Sequence, residues 1–379
     1  MTSRETLVPV QTRRERPTGV RRADFSELSA RDLVWRFSPV EKISRIVESE
    51  LNGSRLDASL SGVTTASASL DWIPNSDPRV GRAGLPEDRA VAAAWESAPD
   101  VLLVTISGEQ SSEIVLTLSG LDRGPSAVHT LIAVAPHAVA TLSVRYSGKI
   151  EACDVVEIVV GDGARCDVTF CVEETNDSVH VGAHFAQVGR DASLTHSLVV
   201  LSGGVVRLNP SAQLDCAGGS VQLLGLYTPG DHEHVEHHVY VNHDAPHTHS
   251  NVLFKGALRS SSSRAVWIGD VLIGEKATGT DSYEQNRNLI LRDGARADSI
   301  PNLEIETGDI VGAGHASATG KFDEEQLFYL QSRGIAEPEA RMLVVRGFLN
   351  EVAQKLGAPS IAALVDSTLD RQFSEGISE

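Results

Sequence analysis

Gly161-Asp162-Gly163-Ala164-Arg165-Cys166-Asp167-Val168-Thr169-Phe170-Cys171-Val172 holds one complete structural unit. A Gly/Asp turn comes first and a small residue second. A run follows in which Cys166, Val168, Phe170 and Val172 alternate with Asp167, Thr169 and Cys171. Period two is the pattern of a strand with one buried face. The unit recurs. Gly189-Arg190-Asp191-Ala192 and Asp215-Cys216-Ala217-Gly218 each open a short strand, and the alanines lie 28 and then 25 residues apart. Arg292-Asp293-Gly294-Ala295 repeats the theme. A turn, a small residue and a strand every two dozen residues or so fit the stacked coils of a β-solenoid. Small residues suit tight corners where neighbouring coils approach closely. A β-sandwich with similar turn spacing is the competing arrangement.

Outward from this unit the chain divides into four parts. Residues 1–22 carry six arginines and little apolar content, the composition of a disordered basic tail. Residues 23–100 read as a helical region. Ile43, Ile46, Val47 and Leu51 form one stripe within a mostly helical run over 29–52, which Ser29 caps, Pro39 kinks and Gly53 stops. A short helix is expected over 87–95. Residues 101–322 read as the β-helix core, with apolar runs at 101–106 and 114–118. Residues 323–379 read as a helical domain of three helices. Asp323 caps the first and Gly334 ends it, Pro338 opens the second, and the third covers about 360–373.

Composition narrows the function. Thirty-three basic against 51 acidic residues leave a net charge of −18, which argues against nucleic acid as the main partner. No apolar run approaches the roughly 20 residues that span a bilayer, and no secretory signal is apparent, so a cytoplasmic protein without a membrane partner is expected. The four cysteines, Cys153, Cys166, Cys171 and Cys216, form no C-x-x-C pair and read as buried thiols. Neither a phosphate-binding G-x-x-x-x-G-K-[S/T] loop nor a G-x-S-x-G nucleophile turn occurs.

Three constellations could carry chemistry. Seven histidines fall within 232–249, and His232-Glu233-His234-Val235-Glu236-His237 forms an H-x-H-x-E-H string. In a strand, His232 and His234 would share a face, as two ligands of one metal do. A metal-dependent β-fold enzyme centred on 232–249 is therefore an alternative, and a histidine cluster that binds no metal is the plainer reading. Asp281, Gln285, Asn286 and Asn288 suit amide ladders between coils. His315 stands alone in a Gly/Ala segment just before the helical domain, which suggests an exposed or interface position, or a half-site completed by another chain.

Read in order, these segments resemble the SufB/SufD family of iron–sulfur cluster assembly proteins. The resemblance runs through His243-Asp244-Ala245-Pro246-His247, Lys255-Gly256-Ala257-Leu258 and Thr280-Asp281. It continues in Gln285-Asn286-Arg287 and Asn302-Leu303-Glu304-Ile305, then His315 before Ala318-Thr319-Gly320. It ends in Asp323-Glu324-Glu325-Gln326-Leu327-Phe328-Tyr329-Leu330 and Ser332-Arg333-Gly334. Within the family the chain is more similar to SufD: no cysteine follows Cys216. The resemblance implies a right-handed parallel β-helix with helical ends, acting as a scaffold subunit and not as an enzyme. It implies a complex with a SufB-like subunit and a SufC-like ATPase. No cofactor would be tightly bound by the chain alone, and a nascent iron–sulfur cluster would form in the complex. His315 occupies the place of the family's functional histidine, a candidate cluster-site ligand. Many members carry a cysteine two residues earlier, where this chain has Ala313. Leu327, Phe328, Leu330, Leu343 and Phe348, on the C-terminal helices, are the candidate partner-binding residues. A purely structural role in the complex is the remaining alternative.

Overall fold

The computed structural model describes residues 16–62, 67–109 and 112–375. In chain order the elements begin with a 3₁₀ turn (Arg22–Asp24), α1 (Val40–Val47), β1 (Asp57–Ser61), β2 (Ala68–Pro74), α2 (Arg89–Ser97), β3 (Asp100–Ile106) and β4 (Ile114–Ser119). The regular coils follow: β5 (Ser126–Val134), β6 (Val139–Gly148), β7 (Glu151–Val160), β8 (Arg165–Glu174), β9 (Val179–Val188), β10 (Ser193–Ser202) and β11 (Val205–Leu214). Next come β12 (Ser220–Tyr227), β13 (His234–His243), β14 (His249–Leu258), β15 (Arg264–Ile273), β16 (Thr280–Ile290), β17 (Arg296–Ile305) and β18 (Ile310–Lys321). Three helices close the chain: α3 (Glu324–Ser332), α4 (Glu337–Ala353) and α5 (Pro359–Glu375).

From β3 onward, alternate strands belong to two nine-stranded sheets. One runs β1-β4-β6-β8-β10-β12-β14-β16-β18, the other β17-β15-β13-β11-β9-β7-β5-β3-β2. Every pairing is parallel except β1 with β4 and β2 with β3. The result is a β-solenoid of about eight coils, and the face-packed antiparallel sandwich is set aside. Each strand alternates between the lumen and the outside. Cys166, Val168, Phe170 and Val172 fill the lumen, as their period requires.

The corners explain the repeat. His137, Gly163, Asp191, Gly218, His247 and Gly279 all adopt positive φ. The main-chain N–H of each donates to a carbonyl of the next coil: Asp162, Arg190, Ala217, Pro246, Thr278 and Asp309 in turn. A Cβ at Gly163 would come within 2.4 Å of the His137 ring, and one at Gly218 within 2.1 Å of Asp191. Glycine thus alternates with a side-chain-bearing residue along this corner. At the Gly218 corner Gly219, whose N–H donates to Cys216 as that of Ala192 donates to Gly189, takes the small-residue place. Ala217 does not, so the uneven alanine spacing is a misalignment.

Both outer faces are covered. α1 and α2 lie on one sheet over Cys153, Val155, Val181 and Phe185. The C-terminal helices cover the other sheet at Cys171, Leu226, Leu253 and Leu289. Burial holds Cys153 well above the usual thiol range and pushes Cys166 and Cys171 up to about 12, so these thiols stay protonated.

The region before residue 100 departs from expectation. Its first helix is confined to Val40–Val47, and β1 and β2 extend the two sheets. Strand edges left by β3 and β4 must be paired, and a short segment of weak helical period meets that need. Residues 1–15 lie outside the described residues. Residues 16–22 are held in place and do not form a free tail. Arg16 pairs with Glu87 at 2.5 Å, and Arg22 donates to the Val47 and Ser49 carbonyls. Arginines there find carbonyls and carboxylates exposed by the helices packed on the sheet.

Candidate functional site

The two ends of the solenoid differ. Each sheet ends in strands paired on one side only: β1 and β2, added antiparallel, at one end, and β17 and β18, added parallel, at the other. β18 is the sharper case. Val311 forms a bulge between the Thr280–Ile310 and Asp281–Gly312 pairs and is 76% exposed. The Gly- and Ala-rich sequence of β18 keeps its backbone close to the open edge.

His315 lies at this edge. It shares the face of Ala313, which packs against the lumen core, and pairs in register with Glu284 of the coil beneath. The imidazole is thus at the mouth of the lumen, half-exposed. Glu284 is fully buried below it. His315 Nδ1 and Glu284 Oε1 stand 3.8 Å apart, too far for a hydrogen bond. Neither Glu284 oxygen makes a hydrogen bond of ordinary geometry. Burial, and then the charge of Asp270, push this carboxyl up to about 8, with the Asn302 backbone N–H acting in the opposite direction. Its space exists because residue 269 is glycine. A Cβ there would meet Glu284 Oε2 and the Trp267 ring, each at 2.3 Å.

Two more rungs on the same face of β16 are amides. Asn286 donates to Tyr227 Oη at 2.9 Å and to the Phe254 carbonyl at 3.2 Å. Asn288 donates to Asn286 at 2.8 Å and accepts from Tyr227 at 2.7 Å. The expected amide ladder is present in Asn286 and Asn288. Asp281 instead faces out, with His249 Nδ1 at 3.5 Å. Glu284 was not singled out in the sequence. Counting back by two from Asn288 and Asn286 reaches it, a carboxyl on a ladder of amides.

The histidines of 232–249 disperse. His232 and His247 are corner residues with φ of 56° and 57°. His234 and His238 face outward, and each donates to Glu236, at 2.9 and 2.8 Å. His237 and His243 face the lumen. His237 Nδ1 donates to the Leu208 carbonyl at 2.7 Å, while His243 lies between Thr248 and Ser250 at 2.7 and 2.8 Å. The pairing of His232 with His234 on one strand face is therefore not formed, because β13 begins only at His234. Among the described residues no group of three histidines, cysteines or carboxylates is arranged to hold a metal ion.

Glu236 serves a structural centre instead. It accepts from Ser38 at 2.8 Å and from Arg207 at 3.1 Å. Burial would raise its pKa, but hydrogen bonds from His234 and His238 and the Arg207 charge hold it well below the usual carboxylate range. Arg207 also bonds Asp88 at 2.8 Å and lies 4.1 Å from the Trp35 ring centroid. Asp88 caps α2 through Ala90 and Val91. This buried network fastens the N-terminal segment to the sheet. A half-open cavity of about 400 Å³ beside it is lined by Arg16, Phe37, Glu87, Arg207, His238 and Tyr240, among others.

The candidate partner-binding residues divide in the same way. Leu327 is 4% exposed, and Leu330 and Phe348 pack into the core between the C-terminal helices and the sheet. Lys255 holds that contact, with its ammonium 2.9 Å from the Phe348 carbonyl and 2.7 Å from Glu351. Phe328 and Leu343 are 73% and 41% exposed and remain available to a partner, joined by Tyr329 at 56%. The helical stripe identified apolar positions but not which of two neighbours they meet.

The chain is thus a stacked β-solenoid with a polar-mouthed C-terminal end and a helical appendage on its flank. Its sequence matches the family described as SUF system FeS cluster assembly, SufBD core domain, over residues 117–348. An iron–sulfur cluster assembly SufBD family protein of Mycobacterium bovis is 41% identical over 360 residues, covering 92% of this chain and 90% of that protein. A counterpart in Mycobacterium leprae is 40% identical over 363 residues, covering 92% and 91%. The iron–sulfur cluster assembly protein SufD of Escherichia coli is 31% identical over 177 residues, covering 46% of this chain and 41% of that one. The chain belongs to the SufBD family of iron–sulfur cluster assembly proteins.

Proposed function

We propose that the chain is a SufD-like scaffold subunit, not an enzyme, that works in the cytoplasm with a SufB-like subunit and a SufC-like ATPase. The observation that carries the reading is the open end. β17 and β18 offer unpaired edges that a second β-solenoid can extend, and His315 stands at that mouth. A neutral imidazole is a competent iron ligand near physiological pH. In this reading His315 supplies one ligand to a nascent iron–sulfur cluster, which is cargo held between chains. The exposed Phe328, Tyr329 and Leu343 receive the ATPase.

The test is His315→Ala in the complex reconstituted with both partners, followed by cluster absorbance. Loss of cluster with the complex still assembled is the expected result. Full cluster yield overturns ligation and leaves a purely structural subunit. For the ATPase, Phe328→Glu is a better probe than removing the helical domain. Deletion of 323–379 would strip the cover from Leu226, Leu253 and Leu289 and so disturb the solenoid itself.

A further inference from the structure

We propose that Glu284 is a second ligand at the mouth of the solenoid, and that Glu284 and His315 together form a carboxylate–imidazole half-site for a divalent transition-metal ion. The proposal rests on the reading of His315 above and deepens it, by adding an oxygen donor and so a metal class.

The first support is the state of the carboxyl. A buried polar group without a hydrogen bond costs about 1–3 kcal/mol and is rare in a folded protein. Glu284 is fully buried with neither oxygen in a hydrogen bond of ordinary geometry. Its neighbours on the same strand face, Asn286 and Asn288, are fully engaged in the ladder with Tyr227. On this strand face the carboxyl that lacks a well-formed hydrogen bond is the rung beneath His315, where β18 is the last strand.

The second support is spacing. Ligand atoms about 2.1 Å from one ion lie about 3.0 Å apart when cis in an octahedron and about 3.4 Å apart in a tetrahedron. The observed 3.8 Å between His315 Nδ1 and Glu284 Oε1 closes to either with a shift of a few tenths of an ångström at each side chain. His315, half-exposed on an edge strand, is free to make it.

The third is donor chemistry. An imidazole with a carboxylate suits a divalent ion such as ferrous iron, whereas soft ions favour thiolate. Ala313, the inward residue beside His315, offers no thiol. Two protein donors leave positions open for a partner chain. Gly269 adds a structural requirement, because only a residue without Cβ leaves the Glu284 carboxyl its place.

The experiment is an anaerobic titration of the full chain with Co(II), a spectroscopic stand-in for ferrous iron, read by its visible absorption and by calorimetry. Wild type, Glu284→Gln, Glu284→Asp and His315→Ala are compared, with melting temperature as the check on folding. One Co(II) per wild-type chain is expected, with a weakening of about tenfold or more in Glu284→Gln and in His315→Ala. Glu284→Asp, which keeps the carboxylate, should retain more affinity than Glu284→Gln. Equal affinity of Glu284→Gln and wild type, with both folded, overturns the proposal. So does failure of the folded wild-type chain to bind Co(II), or equal affinity of His315→Ala and wild type. Because His315→Ala alters an exposed edge position, it stays informative if Glu284 variants are unstable. Cluster yield in the His315→Ala complex tests the broader reading independently, since it is read with both partners present.

Discussion

The two ends of this solenoid face the same problem and meet it differently. At the N-terminal end β1 and β2 run antiparallel to β4 and β3 and pair their edges. The lumen there is closed by Leu102, Val104, Ile106, Ile114 and Leu116, all buried. At the C-terminal end β17 and β18 leave their edges open, and the lumen ends in Glu284, Ser299 and His315. An unpaired strand edge is a site for another chain, and proteins usually blunt it. Here one end finishes in short antiparallel strands and the other in long parallel ones, with a bulge at Val311. Polar side chains also line the middle of the lumen, at Asp154, His180, His184 and His196, and at the C-terminal end Glu284 and His315 bring them to its mouth. The contrast predicts greater stability at the first end, and the proposed function places its partner at the second.

The largest expected effect concerns the buried interior between the ends. Burial pushes His184 well below the usual histidine range, and holds His196, His237 and His243 at about 3, about 4 and about 3. In the unfolded chain each returns to about 6.5. Between about pH 4 and 6.5 the unfolded chain therefore binds more protons, so stability rises with pH across that window. It is fully present above 6.5 and lost as pH falls, by about 2 kcal/mol per imidazole at pH 5. His180 behaves oppositely. Burial would lower its pKa, but Glu174 and Asp154 raise it to about 10, so its contribution is fully present below about 6.5 and is lost progressively as pH rises from there to about 10. Urea denaturation from pH 7 to pH 5 should show a loss of several kcal/mol. A flat profile would show that these imidazoles are already solvated.

Equal truncations should separate the ends next. Ile132→Ala, in the closed part of the lumen, should cost about 3 kcal/mol. Leu303→Ala, only partly buried on β17, should cost about 1 kcal/mol or less. Hydrogen exchange should place faster opening at β17 and β18 in wild type. Equal losses would mean that the open end is no weaker than the capped one. The smallest effect on folding, and the sharpest on function, is expected from Val311→Lys. Stability should change by less than about 0.5 kcal/mol, while affinity for the SufB-like partner falls about tenfold or more. Unchanged association would move the partner surface away from this edge.

Much of the architecture was legible in short stretches. Asp323 accepts from Glu325 and Gln326 as an N-cap should, Gly334 takes a φ of 86°, and Pro338 opens α4. The alternation around Phe170 and the turn at Gly163 gave strand and corner. His315 stood out because its surroundings were small. Other features were hidden. His232 looked like a partner of His234 until the strand boundary placed it in a corner. Leu327 and Phe348 looked available until the sheet they cover was in view. Glu284 gave no signal by itself, since its oddity is burial without a well-formed hydrogen bond, which only the packed coils reveal.

The sequence by itself determined what depends on near neighbours: the period of each strand, the left-handed corners, the helix caps and the family pattern spread along the chain. These rest on local sterics and on hydrogen bonds a few residues apart, which composition and spacing encode directly. Only the tertiary structure decided which face each polar residue took and what it met there. A shift of one residue in strand register exchanges lumen for surface, so facing depends on where every corner falls. Arg207 meets Asp88 across 119 positions and Ser38 meets Glu236 across 198, distances over which no local pattern carries information. The juxtaposition of Glu284 with His315 has the same origin. It exists because two adjacent coils stack in register at the C-terminal end of the solenoid.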